Sequence, residues 1–146
     1  MSVSTRERIA FIGGGNMAEA LIRGLRESGV APTKIAVAEP RAEQRRYLAK
    51  RYRVGVHAGN AEAIDGATTI VLAVKPQTMS DVLRALEPRI GKRQLVVSIA
   101  AGIKLATIEK ALGGGVHVVR VMPNTPCLLG AGMSVLAAGR AALARG

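Results

Sequence analysis

The sequence predicts an α/β protein: a doubly wound, mainly parallel sheet held in three layers between helices. Three observations predict it. Short runs rich in Val, Ile and Ala recur along the chain, most of them closing on glycine or proline and several followed by an apolar stripe of helical period. Some of these runs are apolar at nearly every position, the pattern of a strand buried on both faces. Aromatic residues make up only 2% of a chain that is 49% hydrophobic, so the core falls to Ala, Val, Ile and Leu. Strands separated by short helices imply right-handed crossovers, which make the sheet parallel and cover both of its faces.

The elements follow in order. A first strand is expected at residues 8–12. Ala18, Leu21, Ile22 and Leu25 then repeat at i, i+3, i+4 and i+7, a helix that Ser28-Gly29 ends. A second strand at 34–38 leads into a basic helix at 41–51, and a third short strand lies near 54–56, just before His57. Asn60 is expected as the N-cap of a short helix running to Asp65-Gly66. Residues 68–74 form a strand closed by Lys75-Pro76, and Met79, Val82, Leu83 and Leu86 mark the next helix. Residues 94–99 are another buried strand, followed by Ala100-Ala101-Gly102 and a helix through Leu105, Ile108 and Leu112. A strand at 116–121 contains His117 and ends at Met122-Pro123, and a short one is expected at 133–137. The dinucleotide-binding domain is expected to occupy residues 1–137.

A chain of 146 residues with a net charge of +11 raises nucleic acid or an anionic surface as a partner. Arg41, Arg45, Arg46, Lys50, Arg51 and Arg53 fall in a helical rhythm with Tyr47 and Tyr52, but carry no recognised nucleic-acid motif. We read them as a solvated helix face and expect no nucleic-acid partner; the same sign of charge suits steering of an anionic cofactor. Cys127 is the only cysteine, which excludes an intrachain disulfide and points to an intracellular protein. The first apolar run, residues 9–12, is far too short for a signal peptide, and no apolar segment reaches membrane-spanning length. A soluble, cytoplasmic protein without a membrane partner and without a metal is expected. His57, His117 and Cys127 are read as structural, since none has an evident activating partner.

The chemistry is concentrated after the first strand, in Gly13-Gly14-Gly15-Asn16-Met17-Ala18, a G-x-G-x-x-A pattern. Gly13 allows the sharp turn, Gly15 allows close approach of a pyrophosphate, and Ala18 allows close packing of helix on strand. The helix that follows offers free N–H groups and a partial positive charge to an anion. Between a strand and a helix, this is a Rossmann-type dinucleotide site. Glu39, at the end of the second strand, stands where a carboxylate accepts the adenine-ribose hydroxyl of NAD. Arg41, two residues on, is suited to the 2′-phosphate of NADP. NADPH is favoured as cofactor, with NADH possible.

Four segments together resemble pyrroline-5-carboxylate reductase: Phe11-Ile12-Gly13-Gly14-Gly15-Asn16-Met17-Ala18, Leu72-Ala73-Val74-Lys75-Pro76-Gln77, Val97-Ser98-Ile99-Ala100-Ala101-Gly102, and Val119-Arg120-Val121-Met122-Pro123-Asn124-Thr125-Pro126. The resemblance implies that Ala73, Val74, Lys75 and Pro76, with Ile99, Ala100 and Ala101, contact the nicotinamide half of the cofactor, and that Asn60 lies at its adenosine end. Lys75 is a cation for the ribose and phosphates. Asn124 and Thr125 shape the mouth of the substrate site. It also implies the reaction, hydride transfer from NAD(P)H to the C=N carbon of 1-pyrroline-5-carboxylate, which gives L-proline. A protonated imine is already electrophilic, so the lack of an acid/base constellation is no obstacle, and no catalytic residue is assigned within the chain.

Members of the family continue into a helical domain that builds the homo-oligomer and holds the substrate. Residues 138–146 are expected to begin the connection to such a domain. The chain by itself is therefore expected to bind dinucleotide but to turn over poorly. Two other readings stand beside this one: a dinucleotide-binding sensor or regulatory module without catalysis, and another imine or β-hydroxyacid reductase.

Overall fold

The computed structural model of the protein describes residues 7–121. Among these residues six strands form one sheet: β1 (Ile9–Ile12), β2 (Ile35–Ala38), β3 (Gly55–His57), β4 (Thr69–Leu72), β5 (Leu95–Ser98) and β6 (His117–Arg120). They are joined by α1 (Asn16–Glu27), α2 (Ala42–Tyr52), α3 (Asn60–Ile64), α4 (Met79–Leu86) and α5 (Leu105–Leu112). The strand order is β3-β2-β1-β4-β5-β6, and every pairing is parallel. The chain thus winds outward from β1 to β3, then returns to the other side of β1 for β4 to β6. The reversal between β1 and β4 is a topological switch point, where an open sheet leaves a crevice at the carboxyl ends of its strands.

The period-two pattern of the strands builds the three layers. Ile9 and Phe11 of β1, Ile35 and Val37 of β2, and Val71 and Val97 pack against Leu21, Ile22 and Leu25 of α1 and Leu48 and Tyr52 of α2. On the opposite face Ala10, Ile12, Ile70, Leu72 and Val96 pack against Ile64, Leu83, Leu86, Ile108 and Leu112 of α3, α4 and α5. The expected sheet and layers are present.

Helix α2 buries only Leu48 and Tyr52 among its eleven residues, too thin an apolar face to fix a helix by packing alone. Polar ties supplement it. Arg26 of α1 donates from Nε to the Tyr52 carbonyl (3.2 Å) and from Nη1 to the Val30 carbonyl (2.9 Å). Tyr47 and Tyr52 each donate a hydroxyl to Glu19 Oε2 at 2.6 Å. Arg46, Lys50, Arg51 and Arg53 are exposed, as a solvated face requires, while the two tyrosines of the stretch tie it to α1.

Three local expectations need correction. Asn60 is the first helical residue of α3, not its N-cap. Gly59 holds the boundary at φ −102° and ψ 145°, and no side chain caps the helix; glycine is itself an accepted cap. His57 lies inside β3 as its last residue, rather than after it. The fourth strand stops at Leu72, two residues earlier than expected. Ala73 still donates to the Ile12 carbonyl at 2.8 Å, but Val74 leaves the ladder at the switch point. The expected strand at 133–137 and residues 138–146 lie outside the described residues.

Candidate functional site

The chain-order logic of the fold brings the expected site residues to one edge. Gly13 to Ala18 follow β1, Glu39 and Arg41 follow β2, Asn60 follows β3, Ala73 to Pro76 follow β4, and Ile99 to Ala101 follow β5. In a parallel sheet these are five adjacent carboxyl ends.

Gly13 has φ +102°, a backbone region L side chains avoid, and a Cβ there would stand 2.6 Å from the Ala73 carbonyl oxygen. Its N–H donates to the Ala38 carbonyl at 2.8 Å. Gly13 is thus the point where the loops after β1, β2 and β4 meet. Gly15 differs: it is the extended N-cap of α1, and a Cβ there would meet no atom of the described residues within 4 Å beyond its chain neighbours. Its smallness serves nothing inside the described protein and leaves open space in front of a helix start without a side-chain cap. Asn16 and Met17 open the helix and are exposed, while Ala18 is fully buried against the sheet.

Gly14 was not singled out from the sequence, yet it too is closely packed, against side chains rather than the backbone that crowds Gly13. A Cβ would lie 2.9 Å from Leu48 Cδ1 and 3.2 Å from both Glu39 Cβ and Val37 Cγ1. Its N–H donates to Glu39 Oε1 (3.0 Å) and its carbonyl accepts from Gln44 Nε2 (2.6 Å). The triple glycine was the available signal; nothing local marks Gln44.

Glu39 is the one buried charged residue among those described, 4% exposed. Oε2 accepts from the Arg41 N–H (2.8 Å) and from Arg41 Nε (3.0 Å), and Oε1 accepts from Gly14 with a longer contact to Arg41 Nη2 (3.5 Å). Arg45 Nη1 donates to the carbonyls of Glu39 (2.8 Å) and Pro40 (2.9 Å). Burial alone would raise the Glu39 pKa. The hydrogen bonds from the Arg41 side chain and from the two backbone N–H groups, with the Arg41 charge, outweigh it and hold the pKa below its ordinary 4.5. The Arg41 side chain itself is 65% exposed.

Beside the glycine loop, a groove of about 600 Å³ is lined by Asn16, Glu19, Arg41, Ala42, Glu43, Gln44 and Tyr47. Glu19, which accepts from both Tyr47 and Tyr52, is its most buried carboxylate. Burial would raise the Glu19 pKa, but the hydroxyls of Tyr47 and Tyr52 and the charges of Arg23 and Arg51 hold it low. A carboxylate with a depressed folded pKa contributes stability that is present above its unfolded pKa and lost as pH falls through the folded value. The thermal midpoint should therefore hold steady from neutral pH to the ordinary carboxylate range and fall below it. In Glu39→Gln, a melt series over pH should show a shallower acid limb.

The remaining expected residues sit as follows. Lys75 and Pro76 are exposed and open a 3₁₀ turn whose start is tied by Thr78 Oγ1 donating to the Lys75 carbonyl (2.9 Å). Ala73 and Val74 are half-buried. Ile99 and Ala100 are buried and Ala101 is exposed; Ala100 N–H donates to buried Ser98 Oγ at 3.4 Å, a tie the sequence did not reveal. Asn60 is half-buried at the start of α3. His57 Nδ1 stands 4.0 Å from Glu62 Oε2, and His117 is exposed on β6, the last strand of the sheet among the described residues. Asn124, Thr125 and Cys127 lie outside the described residues. Among the described residues no helix is long and apolar enough to cross a membrane, and no group of three His, Cys, Asp or Glu is placed to hold a metal.

With this geometry in view, residues 8–102 match the family described as NADP oxidoreductase coenzyme F420-dependent. The chain is 52% identical over 129 residues to the pyrroline-5-carboxylate reductase of Pseudomonas aeruginosa, covering 88% of this chain and 47% of that protein. Among solved structures, the pyrroline-5-carboxylate reductase of Coxiella burnetii superposes with a TM-score of 0.80 at 35% identity, over 86% of this chain and 47% of that one. The Plasmodium falciparum pyrroline carboxylate reductase with NADP bound gives 0.72 at 29% identity, over 85% and 45%. The chain spans about half the length of the curated relatives it matches. It belongs to the family described as NADP oxidoreductase coenzyme F420-dependent, and its similarity to pyrroline-5-carboxylate reductases extends over most of its length.

Proposed function

We propose that the chain is the dinucleotide-binding part of a pyrroline-5-carboxylate reductase, taking NADPH in preference to NADH. The observation that carries this is the open space at Gly15 in front of the uncapped start of α1, at the switch point of the sheet. A Cβ would occupy that space, and free helix N–H groups border it, the combination a pyrophosphate requires. The residues present therefore fit the cofactor.

On this reading Gly13, Gly15, Asn16, Met17 and Ala18 form the phosphate-binding turn. Glu39, Arg41 and Asn60 belong to the adenosine end. Ala73, Val74, Lys75 and Pro76, with Ile99, Ala100 and Ala101, border the nicotinamide half, and Asn124 and Thr125 shape the substrate mouth. When bound, the reduced nicotinamide supplies a hydride for the C=N carbon of 1-pyrroline-5-carboxylate, giving L-proline. The chain's own contribution is to bind and orient. Gly13 packs the loop after β1 onto the loop after β4, and the Ile99 N–H, donating to the Leu72 carbonyl at 3.1 Å, holds the start of the loop after β5 beside them. Substrate chemistry, a homo-oligomeric whole enzyme, a cytoplasmic setting and a domain boundary near residue 137 are part of the same proposal.

The test is calorimetric titration of the 146-residue chain with NADPH and with NADH. Saturable binding of NADPH, tighter than that of NADH, is expected. Failure to bind either dinucleotide would overturn the reading.

A further inference from the structure

We infer that Glu39 is a positioning residue: it fixes the glycine loop and the Arg41 guanidinium to one another, and it does not read the adenine-ribose hydroxyls. This deepens the proposed function and rests on it. A carboxylate at the end of the second strand is ordinarily read as a hydroxyl acceptor. Here most of its acceptor capacity is already used. An ionised carboxylate has about four acceptor positions, and Glu39 has four contacts within the chain: the Gly14 and Arg41 N–H groups, Arg41 Nε, and the longer one to Arg41 Nη2. Its side chain is 5% exposed, whereas that of Arg41 is 65% exposed. A ribose hydroxyl approaching from solvent meets the guanidinium, a donor, before it meets an acceptor.

The ties extend in both directions. Gly14 is held at its N–H by Glu39 and at its carbonyl by Gln44, so its flanking peptides are pinned to the segment after β2. Arg45 pins the Glu39 and Pro40 carbonyls from one turn into α2. The loop facing the pyrophosphate and the turn facing the adenosine therefore move as one piece. Arg41 spends Nε, and part of Nη2, on Glu39, and the remaining guanidinium N–H groups are left for an anion. The group that a planar cation at this place selects is a phosphate on the adenine ribose.

The test uses the full chain and four titrations, NADPH and NADH into Glu39→Gln and into Arg41→Ala. Arg41→Ala should weaken NADPH by about tenfold or more and NADH by less than about threefold. Glu39→Gln should weaken both dinucleotides together, their ratio staying within about threefold of the parent value. Loss of NADH binding alone in Glu39→Gln would make Glu39 a hydroxyl reader and overturn the inference; so would equal losses of both dinucleotides in Arg41→Ala. Should Glu39→Gln not fold, the Arg41→Ala pair decides. Amide hydrogen exchange of Gly14 tests the clamp without any ligand: slow exchange in the parent and faster exchange in Glu39→Gln is expected, and equal rates would overturn it. If the parent chain binds neither dinucleotide, the proposed function fails, and the exchange rates still decide whether the clamp exists.

Discussion

Gly13→Ala is expected to lower the stability of the chain by about 3–5 kcal/mol, a fall of about 10–20 °C in the thermal midpoint. Two costs add at this position. The backbone sits at φ +102°, which an L side chain adopts only under strain. The new methyl would also stand 2.6 Å from a carbonyl oxygen and 2.9 Å from the carbonyl carbon of Ala73. Those are backbone atoms of the loop continuing β4, so no rotamer change relieves the overlap. The loops after β1 and β4 must separate, and the hydrogen bonds from Gly13 to Ala38 and from Ala73 to Ile12 are strained with them. Differential scanning calorimetry of the parent and the variant measures the effect; a midpoint shift below about 3 °C would contradict the geometry.

Gly15→Ala, two residues away, is expected to do the opposite. Its backbone is extended, at φ −81° and ψ −165°, and among the described residues its added Cβ meets no atom within 4 Å beyond its own chain neighbours. Stability should stay within about 1 kcal/mol of the parent, the small loss of a glycine N-cap being offset by reduced freedom of the unfolded chain. On the proposed function the methyl occupies the room of the pyrophosphate. Forfeiting about two charge-assisted N–H bonds weakens NADPH by about 100-fold. A well-folded variant that binds NADPH like the parent would remove the assignment of Gly15. Together the two glycines separate folding from binding within one turn.

Much of the fold was legible in the sequence. The stripe of Ala18, Leu21, Ile22 and Leu25 located α1, and the unbroken apolar runs located β4 and β5, because burial on one helix face or on both sheet faces leaves a periodic mark on neighbouring residues. Boundaries were less legible. Asn60 has the chemistry of an N-cap, but Gly59 took the role, a one-residue shift of the kind helix ends allow. The end of β4 was set by where the crevice opens, not by the apolar character of Ala73 and Val74.

The candidate site divides along the same line. The sequence by itself determined that a glycine turn follows the first strand, that a helix follows the turn, and that Glu39 and Arg41 close the second strand, because turn chemistry and strand periodicity act between residues close in the chain. Only the tertiary structure decided that Glu39 turns inward to Gly14, 25 residues away, and that Gln44 reaches the Gly14 carbonyl across 30 residues. Those bonds exist because β1 and β2 pair in parallel register and α2 lies back across the strand ends. A carboxylate in such a place becomes a buried clamp or an exposed receptor according to the donors around it; here Arg41, two residues on, supplies two N–H groups and the fold brings a third, that of Gly14, all within 3.0 Å.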